Sequence, residues 1–499
     1  MPRAQDKEMV ISDEGLPPRN RYRILNERRR PHRVRNWKYA PWLAVMAVCF
    51  GALMSQVDSS IVTLAYPTLQ RHFHVSVGAV TWVGLAYMLT LVSTLIMFGR
   101  LSDMLGRKLI FVYGFVIFMA GSILCGFAPS LDILIASRVI EAIGGAMIQA
   151  NSVAIAVLSV PLASRTKALG FQSGAQAMGL ALGPTIGGLM LGVVSWRWLF
   201  LVNIPLGLIA LPAAILFVPR SRFLAPRERL DGVGVAYIFV SVSLILSGLT
   251  LGRTLGWKSP LLFVVIGVGL ATLLLFFAHE RRTTTPLVRT ELLKSLTIQR
   301  GLAGAFLSYA VLFALLFLVP FEVERGFHQG PAQAGLILLS LPLCIGLTSP
   351  FASKVGLWLG AARSIVGAGV VGGCGIVIVA LSSANSLQLV VGLGVVGVGI
   401  GLFNTLNNAS VMGAIPTEQT AVGSGMLNMV RGLGTAVGLA AGGAIFVALG
   451  GASETSSQVM SAFSWTCVAL VALSTFAGLL GASGVRRHTP YELEGRLGA

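Results

Sequence analysis

Long apolar stretches separated by short polar breaks dominate the chain from residue 41 onward. A helix needs about 20 mainly apolar residues, at about 1.5 Å rise each, to cross a hydrocarbon core. That criterion predicts spans at approximately 41–66, 78–98, 108–128, 131–158, 168–192, 199–218, 232–252, 259–278, 300–321, 332–353, 361–382, 387–411, 420–448 and 460–482. Composition agrees. Hydrophobic residues make up 55% of the 499 and charged residues only 11%, whereas soluble domains carry about a quarter charged. An all-α polytopic membrane protein follows. The 59 glycines fit that class, because small residues let helices approach closely in lipid.

Charge fixes the orientation. With the N-terminus placed inside, the alternate loops and tails on that side hold 30 of the 37 lysines and arginines, and the opposite loops hold five. The last two, Arg138 and Arg431, lie within spans. Positive residues concentrate on the cytoplasmic side, so both termini are expected there. The net charge of +18 is dispersed over loops and the tail 1–40, which argues for membrane lipids as partner and against nucleic acid. That tail is expected to set topology, touch anionic headgroups and otherwise stay disordered. All five cysteines fall in apolar runs and the six histidines outside them. No disulfide framework, structural zinc or haem site is expected, and no metal or cofactor. The first apolar run is too long for a signal-peptide core and is expected to be a true span.

The chain contains a repeat. "FGRLSDMLGRKLI" (98–110) and "ASKVGLWLGAARSI" (352–365) align so that Arg100 meets Lys354, Leu105 meets Leu359 and Gly106 meets Gly360. Each is expected as a short loop joining the second and third of six spans, if spans 7 and 8 are set aside. The resulting order is six, two, six: tail 1–40, N-terminal half 41–218, inserted pair 219–299, C-terminal half 300–482 and tail 483–499. Two pseudo-symmetric six-helix halves with a midplane site between them is the layout of major facilitator transporters.

Five stretches carry a closer resemblance. "GRLSDMLGRK" resembles the loop signature G-x-L-x-D-x-x-G-R-K of the major facilitator superfamily, and "GLALGPTIGG" (179–188) the antiporter motif G-x-x-x-G-P-x-x-G-G. "VDSSIVTLAYPTL" (57–69), "WRWLFLVNIPLG" (196–207) and "GSGMLNMVRGLG" (423–434) are similar to further family patterns. With fourteen spans, the chain resembles the drug:proton antiporter family of the EmrB/QacA type over nearly its whole length. The resemblance implies a gate latch at Gly99, Arg100, Asp103, Gly106, Arg107 and Lys108, made in one conformation and broken in the other. It also implies a leak-blocking seal at Gly179, Gly183, Pro184, Gly187 and Gly188. Physically, Gly179, Gly183 and Gly187 share one helix face and permit tight packing, and Pro184 favours a kink. Asp103 can pair with Arg100, Arg107 or Lys108, or face a helix N-terminus. The second copy of the loop has Leu357 where the first has Asp103, so a latch would be one-sided.

Two acids, Asp58 and Glu141, lie well inside spans. Intramembrane ionisable groups mark ion pathways or proton relays. Counted along their helices, Asp58 and Arg138 both sit about 10 Å below the outer end, and the resemblance implies that the two helices are neighbours, so an ion pair is expected that protonation of Asp58 would open. Glu141, three residues past Arg138, departs from the family's R-x-x-Q-G. Local compensation of Arg138, a second protonation site and a counter-charge for cationic substrates all remain open for it. In the C-terminal half the polar candidates are Asn404, Asn428 and Arg431, the last expected to bond backbone carbonyls or the asparagines at 404, 407 or 408, or to contact an anionic substrate. Trp196 and Trp198 are expected as interface anchors. Phe306, Tyr309, Phe313, Phe317 and Phe321 recur at helical spacing, as core or lipid contacts or as a drug-stacking face.

The expected function is drug:proton antiport: gradient-driven efflux of small amphipathic or hydrophobic compounds by alternating access. The protein would be a monomer in the bacterial inner (cytoplasmic) membrane and not an enzyme. No nucleotide-binding loop G-x-x-x-x-G-K-[ST] occurs. Export of one metabolite or lipid, nutrient import, and a non-transporting membrane sensor are the alternatives.

Overall fold

The computed structural model describes residues 27, 31, 34 and 37–484, apart from 76, 222–229, 256–258, 330, 383–384 and 451–454. Among the described residues all regular structure is helical. The helices of 15 residues or more are α1 (Ala40–Ile61), α2 (Val77–Leu105), α3 (Arg107–Gly126), α4 (Leu131–Ser159), α5 (Arg165–Val193), α6 (Asn203–Phe217), α7 (Gly232–Leu255), α8 (Pro260–Glu280), α9 (Leu296–Phe321), α10 (Pro331–Thr348), α11 (Ala361–Ala380), α12 (Ser386–Gly413), α13 (Thr420–Ala448) and α14 (Ser456–Ser483). Among the described residues, twelve helical spans are long and apolar enough to cross a membrane. Helices α4 and α5, 29 residues each, stand outside that set. Buried Arg138, Glu141, Gln149 and Asn151 lie along α4.

The described chain divides into two compact units. The first takes the described residues of Met1–Val235, Thr284–Val288 and Ile415–Asn428, and so holds α1 to α6 and the first residues of α13. In it α1 packs on α4 and α5, and α4 packs on α2 and α3. An apolar cluster that includes Ile61, Leu69, Val83, Leu134 and Phe200 gathers about the Ile61 end of α1. The second unit takes Ala236–Thr283, Arg289–Ala414 and the described residues of Met429–Ala499. There α11 packs on α12 and α14, and α10 on α12. Most of α7 and all of α8, set aside as an insertion in the sequence, fall within this second unit.

Three local expectations change. Helix α2 continues to Leu105, so Gly99–Leu105 is helix rather than loop, and the reversal falls on Gly106 alone, at φ 124°. The second copy behaves alike: Ala352–Leu359 is helical and Gly360, at φ 81°, makes the break. The helices that follow the two glycines, α3 and α11, both have 20 residues. Finally, Trp196 is not an interface anchor: it is 4% exposed and packs among His72, Phe73 and Phe200. Trp198 is half exposed.

Candidate functional site

Five helices of the first unit bring polar groups to one buried point. Helix α4 starts at Ser130, whose Oγ accepts from Ile133 N, with Asp132 in the first turn where the helix dipole favours an acid. Two turns further lie Arg138 and Glu141, on one face at i, i+3. Gly121 of α3 lies tight against α4: a Cβ there would stand 2.5 Å from Glu141 Cα. Its missing side chain lets Ser122 and Cys125 reach the Glu141 carboxylate.

Arg138 Nη1 donates to Asp58 Oδ2 at 2.8 Å and to Glu141 Oε2 at 2.6 Å. Its Nε donates to Val83 O at 3.3 Å, and its guanidinium carbon sits 4.1 Å from the Tyr87 ring centroid. Asn203 Nδ2 lies between the acids, 3.0 Å from Asp58 Oδ1, 3.2 Å from Ser122 Oγ and 3.3 Å from Glu141 Oε1. The Ser122 hydroxyl donates to Glu141 Oε1, and the Cys125 thiol to Oε2 at 3.4 Å. Asp58, Glu141 and Asn203 are 0% exposed and Arg138 is 1%. The depth-matched pair is therefore formed, and Glu141 joins it. Sequence reasoning missed Asn203, Ser122, Cys125 and Tyr87. Asn203 was legible, because it is the asparagine of the quoted "WRWLFLVNIPLG"; the other three carried no signal.

A polar string leads away from this cluster. The Tyr87 hydroxyl lies 3.4 Å from Ser55 Oγ, which accepts from Gln149 Nε2 at 2.8 Å. The backbone oxygen of Gln149 accepts from Asn428 Nδ2 at 2.9 Å. Asn428, a C-half candidate by sequence, thus lies in the first unit.

The second polar focus is the end of α2. Asp103, 0% exposed, accepts from Arg107 Nε at 3.0 Å and Nη2 at 2.8 Å. It also accepts from the backbone N–H groups of Ala421 (3.0 Å) and Val422 (2.9 Å), in the first turn of α13. Both sequence options for Asp103, ion pair and helix cap, are realised by one carboxylate. Gly99 permits this, since a Cβ there would meet Ala421 O at 2.7 Å. Arg100 is buried, and Lys108 Nζ donates to Ile215 O at 2.7 Å.

Glu27, from the basic tail, reaches the same turn. Its carboxylate accepts from Lys108 N (3.1 Å), Ser221 N (2.7 Å) and Ser221 Oγ (2.9 Å). It occupies the place of a Cβ at Gly106. Burial pushes the Glu27 carboxyl above the ordinary glutamate range, against the lowering effect of these hydrogen bonds and of Lys108.

The other candidates separate. Gly179 and Gly183 face α1: a Cβ at Gly179 would stand 2.6 Å from Leu53 O, and one at Gly183 3.0 Å from Val57 O. Gly187 is buried in the same helix, while the burial of Pro184 and Gly188 lies outside what is described. In the second unit, the Arg431 guanidinium sits 5.3 Å from the Tyr309 ring centroid. Asn404 is buried on α12, and Asn407 Nδ2 donates to Gly301 O at 2.8 Å. Tyr309 stacks on Phe313, and Phe317 packs on Phe321.

Membrane-length helices with an ion cluster buried inside them form the build of a polytopic membrane transporter. Comparison with known proteins supplies the family. The model described as Major Facilitator Superfamily matches residues 48–230, 221–439 and 301–492, and the chain belongs to that family. It is 29% identical over 405 residues to the riboflavin transporter RibZ of Clostridioides difficile, covering 80% of this chain and 87% of that one. The multidrug resistance protein Stp of Mycobacterium tuberculosis is 28% identical over 408 residues, covering 81% and 76%. The methylenomycin A resistance protein of Streptomyces coelicolor is 27% identical over 413, covering 80% and 85%. Among solved structures, the human organic anion transporter MFSD10 (TETRAN) shares the fold with a TM-score of 0.62 at 16% identity, covering 87% of this chain and 99% of that one.

Proposed function

We propose that this chain is a proton-driven exporter of small amphipathic or hydrophobic compounds, working by alternating access in a bacterial cytoplasmic membrane with both termini inside. The fourteen-span, six-two-six arrangement belongs to the same reading. The length of α4 and α5, about 44 Å each at 1.5 Å per residue, supports it. The observation that carries the function is Arg138 held by Asp58 and Glu141 out of contact with water. Uncompensated, such a charge costs several kcal/mol or more. A proton on Asp58 removes one of the two charges holding the guanidinium and leaves it with Glu141. Arg138 then gains freedom to move with α4, and the string through Tyr87, Ser55 and Gln149 carries that motion toward Asn428. The Asp103–Arg107 pair on the first turn of α13 serves as the latch of this conformation. No nucleotide or metal cofactor takes part.

Two relatives whose names refer to drug or antibiotic resistance support export of toxic compounds. The second reading, a transporter of one metabolite, is favoured by the relative named for riboflavin alone. Inverted vesicles decide between them. With cationic and neutral compound panels, the proton gradient drives uptake of several members in wild type, and Asp58→Asn, recovered folded, loses that drive. Turnover independent of the gradient would sink the proposal, and a single accepted compound would select the second reading. Loss of the cations alone in Glu141→Gln assigns Glu141 to substrate charge.

A further inference from the structure

The cluster contains two acids and one guanidinium, and a single atom, Arg138 Nη1, serves both carboxylates. Its remaining partners, Asn203, Ser122, Cys125, Tyr87 and the Val83 carbonyl, carry no formal charge. With both acids ionised the buried site would hold one excess negative charge. Hydrogen bonds from an amide, a hydroxyl and a thiol spread that charge without cancelling it, and a medium without water penalises it strongly. Among the described residues no group of three or more His, Cys, Asp or Glu side chains is arranged to hold a metal ion.

We propose that Asp58 and Glu141 retain one shared proton while they are buried together with Arg138, so that the cluster as described is proton-loaded. The proton belongs to the pair, and the two acids exchange the roles of ion-pair partner and neutral acid. Asn203, whose amide nitrogen reaches both, serves either state. With glutamine at position 141, one acid and one guanidinium would balance and the buried cluster would need no proton. The inference rests on the same cluster as the coupling reading and deepens it: the coupling step becomes settling of this shared proton on Asp58, which leaves the guanidinium with Glu141 alone.

Infrared difference spectroscopy on the full-length protein in lipid nanodiscs, at neutral pH in choline buffer, tests this without transport. Wild type should show a carboxylic-acid C=O band that shifts in D2O. The band should be missing from both Glu141→Gln and Asp58→Asn, each of which leaves one acid against one guanidinium. A wild-type spectrum without the band, or a band kept in both variants, overturns the proposal. Sodium that abolishes the band would also overturn it, by making the missing cation a metal ion. If a variant does not fold, carboxyl-labelled aspartate or glutamate in wild type replaces it, and a band insensitive to both labels is again fatal. Absence of the band with intact gradient-driven efflux removes the retained proton and leaves the transport reading standing. Presence of the band without gradient dependence does the reverse.

Discussion

The turn at Gly106 and the turn at Gly360 share a backbone and differ in chemistry. Both glycines sit at positive φ, both end a helix, and both start one of 20 residues. At the first, Asp103 is buried against Arg107 and two N–H groups of α13, and Glu27 closes over the glycine. At the second, Leu357 replaces the acid and is 49% exposed, Trp358 is more exposed still, and among the described residues none lies where a Cβ at Gly360 would go. The long helices further on repeat the contrast. Counted from their first residues, Arg138 and Glu141 of α4 correspond to Leu393 and Val396 of α12, both buried and apolar. The repeat preserved its geometry and loaded the charges into one copy.

The sharpest way to break this comparison is to remove the acid. Asp103→Asn leaves Arg107 without its charge partner and weakens the cap of α13, an expected loss of about 3–5 kcal/mol for a broken buried pair. Thermal unfolding in detergent should show it, together with a large drop in efflux. The mirror substitution Leu357→Asp should change stability by about 0.5 kcal/mol or less, because its site is exposed.

Alanine at each glycine then separates backbone from packing. Gly360→Ala forces a side chain into a sparsely populated region and should cost about 1–3 kcal/mol. Gly106→Ala carries the same strain and also displaces the Glu27 carboxylate, adding about 1–2 kcal/mol for the hydrogen bonds lost. Equal shifts in the two melting curves would show that Glu27 contributes nothing.

The smallest effect is the tail itself. Glu27→Ala should raise protease cleavage of the N-terminal segment while changing global stability by only about 1–2 kcal/mol. Protons tighten the docking: a carboxyl whose value is raised on docking binds protons better when docked. The gain is complete below the ordinary glutamate range and is lost as pH rises through the raised value. Cleavage should therefore slow on acidification in wild type and keep its rate in Glu27→Ala.

Helix positions were largely readable. The helix expected at 131–158 is Leu131–Ser159, and the one expected at 420–448 is Thr420–Ala448. Apolar length and its breaks report directly on what a bilayer accepts. The first span was read as too long, to residue 66, because hydropathy does not register the 3-10 turn Val62–Ala65 that ends α1. Trp196 was misplaced for a related reason: its flanks look interfacial, and only packing by His72, Phe73 and Phe200 shows that it is covered. The Asp58–Arg138 contact was reachable, since both depths can be counted along the sequence and the family resemblance makes the two helices neighbours.

By itself the sequence determined the membrane class, the helix positions, the internal repeat and the few charges whose burial demands a partner. Each follows from what a single chain segment costs in lipid, a property of composition and length. Tertiary structure decided which neutral groups complete the charge cluster: Asn203 from α6, and Ser122 and Cys125 brought in by the close approach at Gly121. It also decided that Asp103 caps α13 and that Glu27, in a tail expected to be featureless, docks on the turn at Gly106. Those choices depend on distances between helices far apart in the chain, which no local pattern encodes.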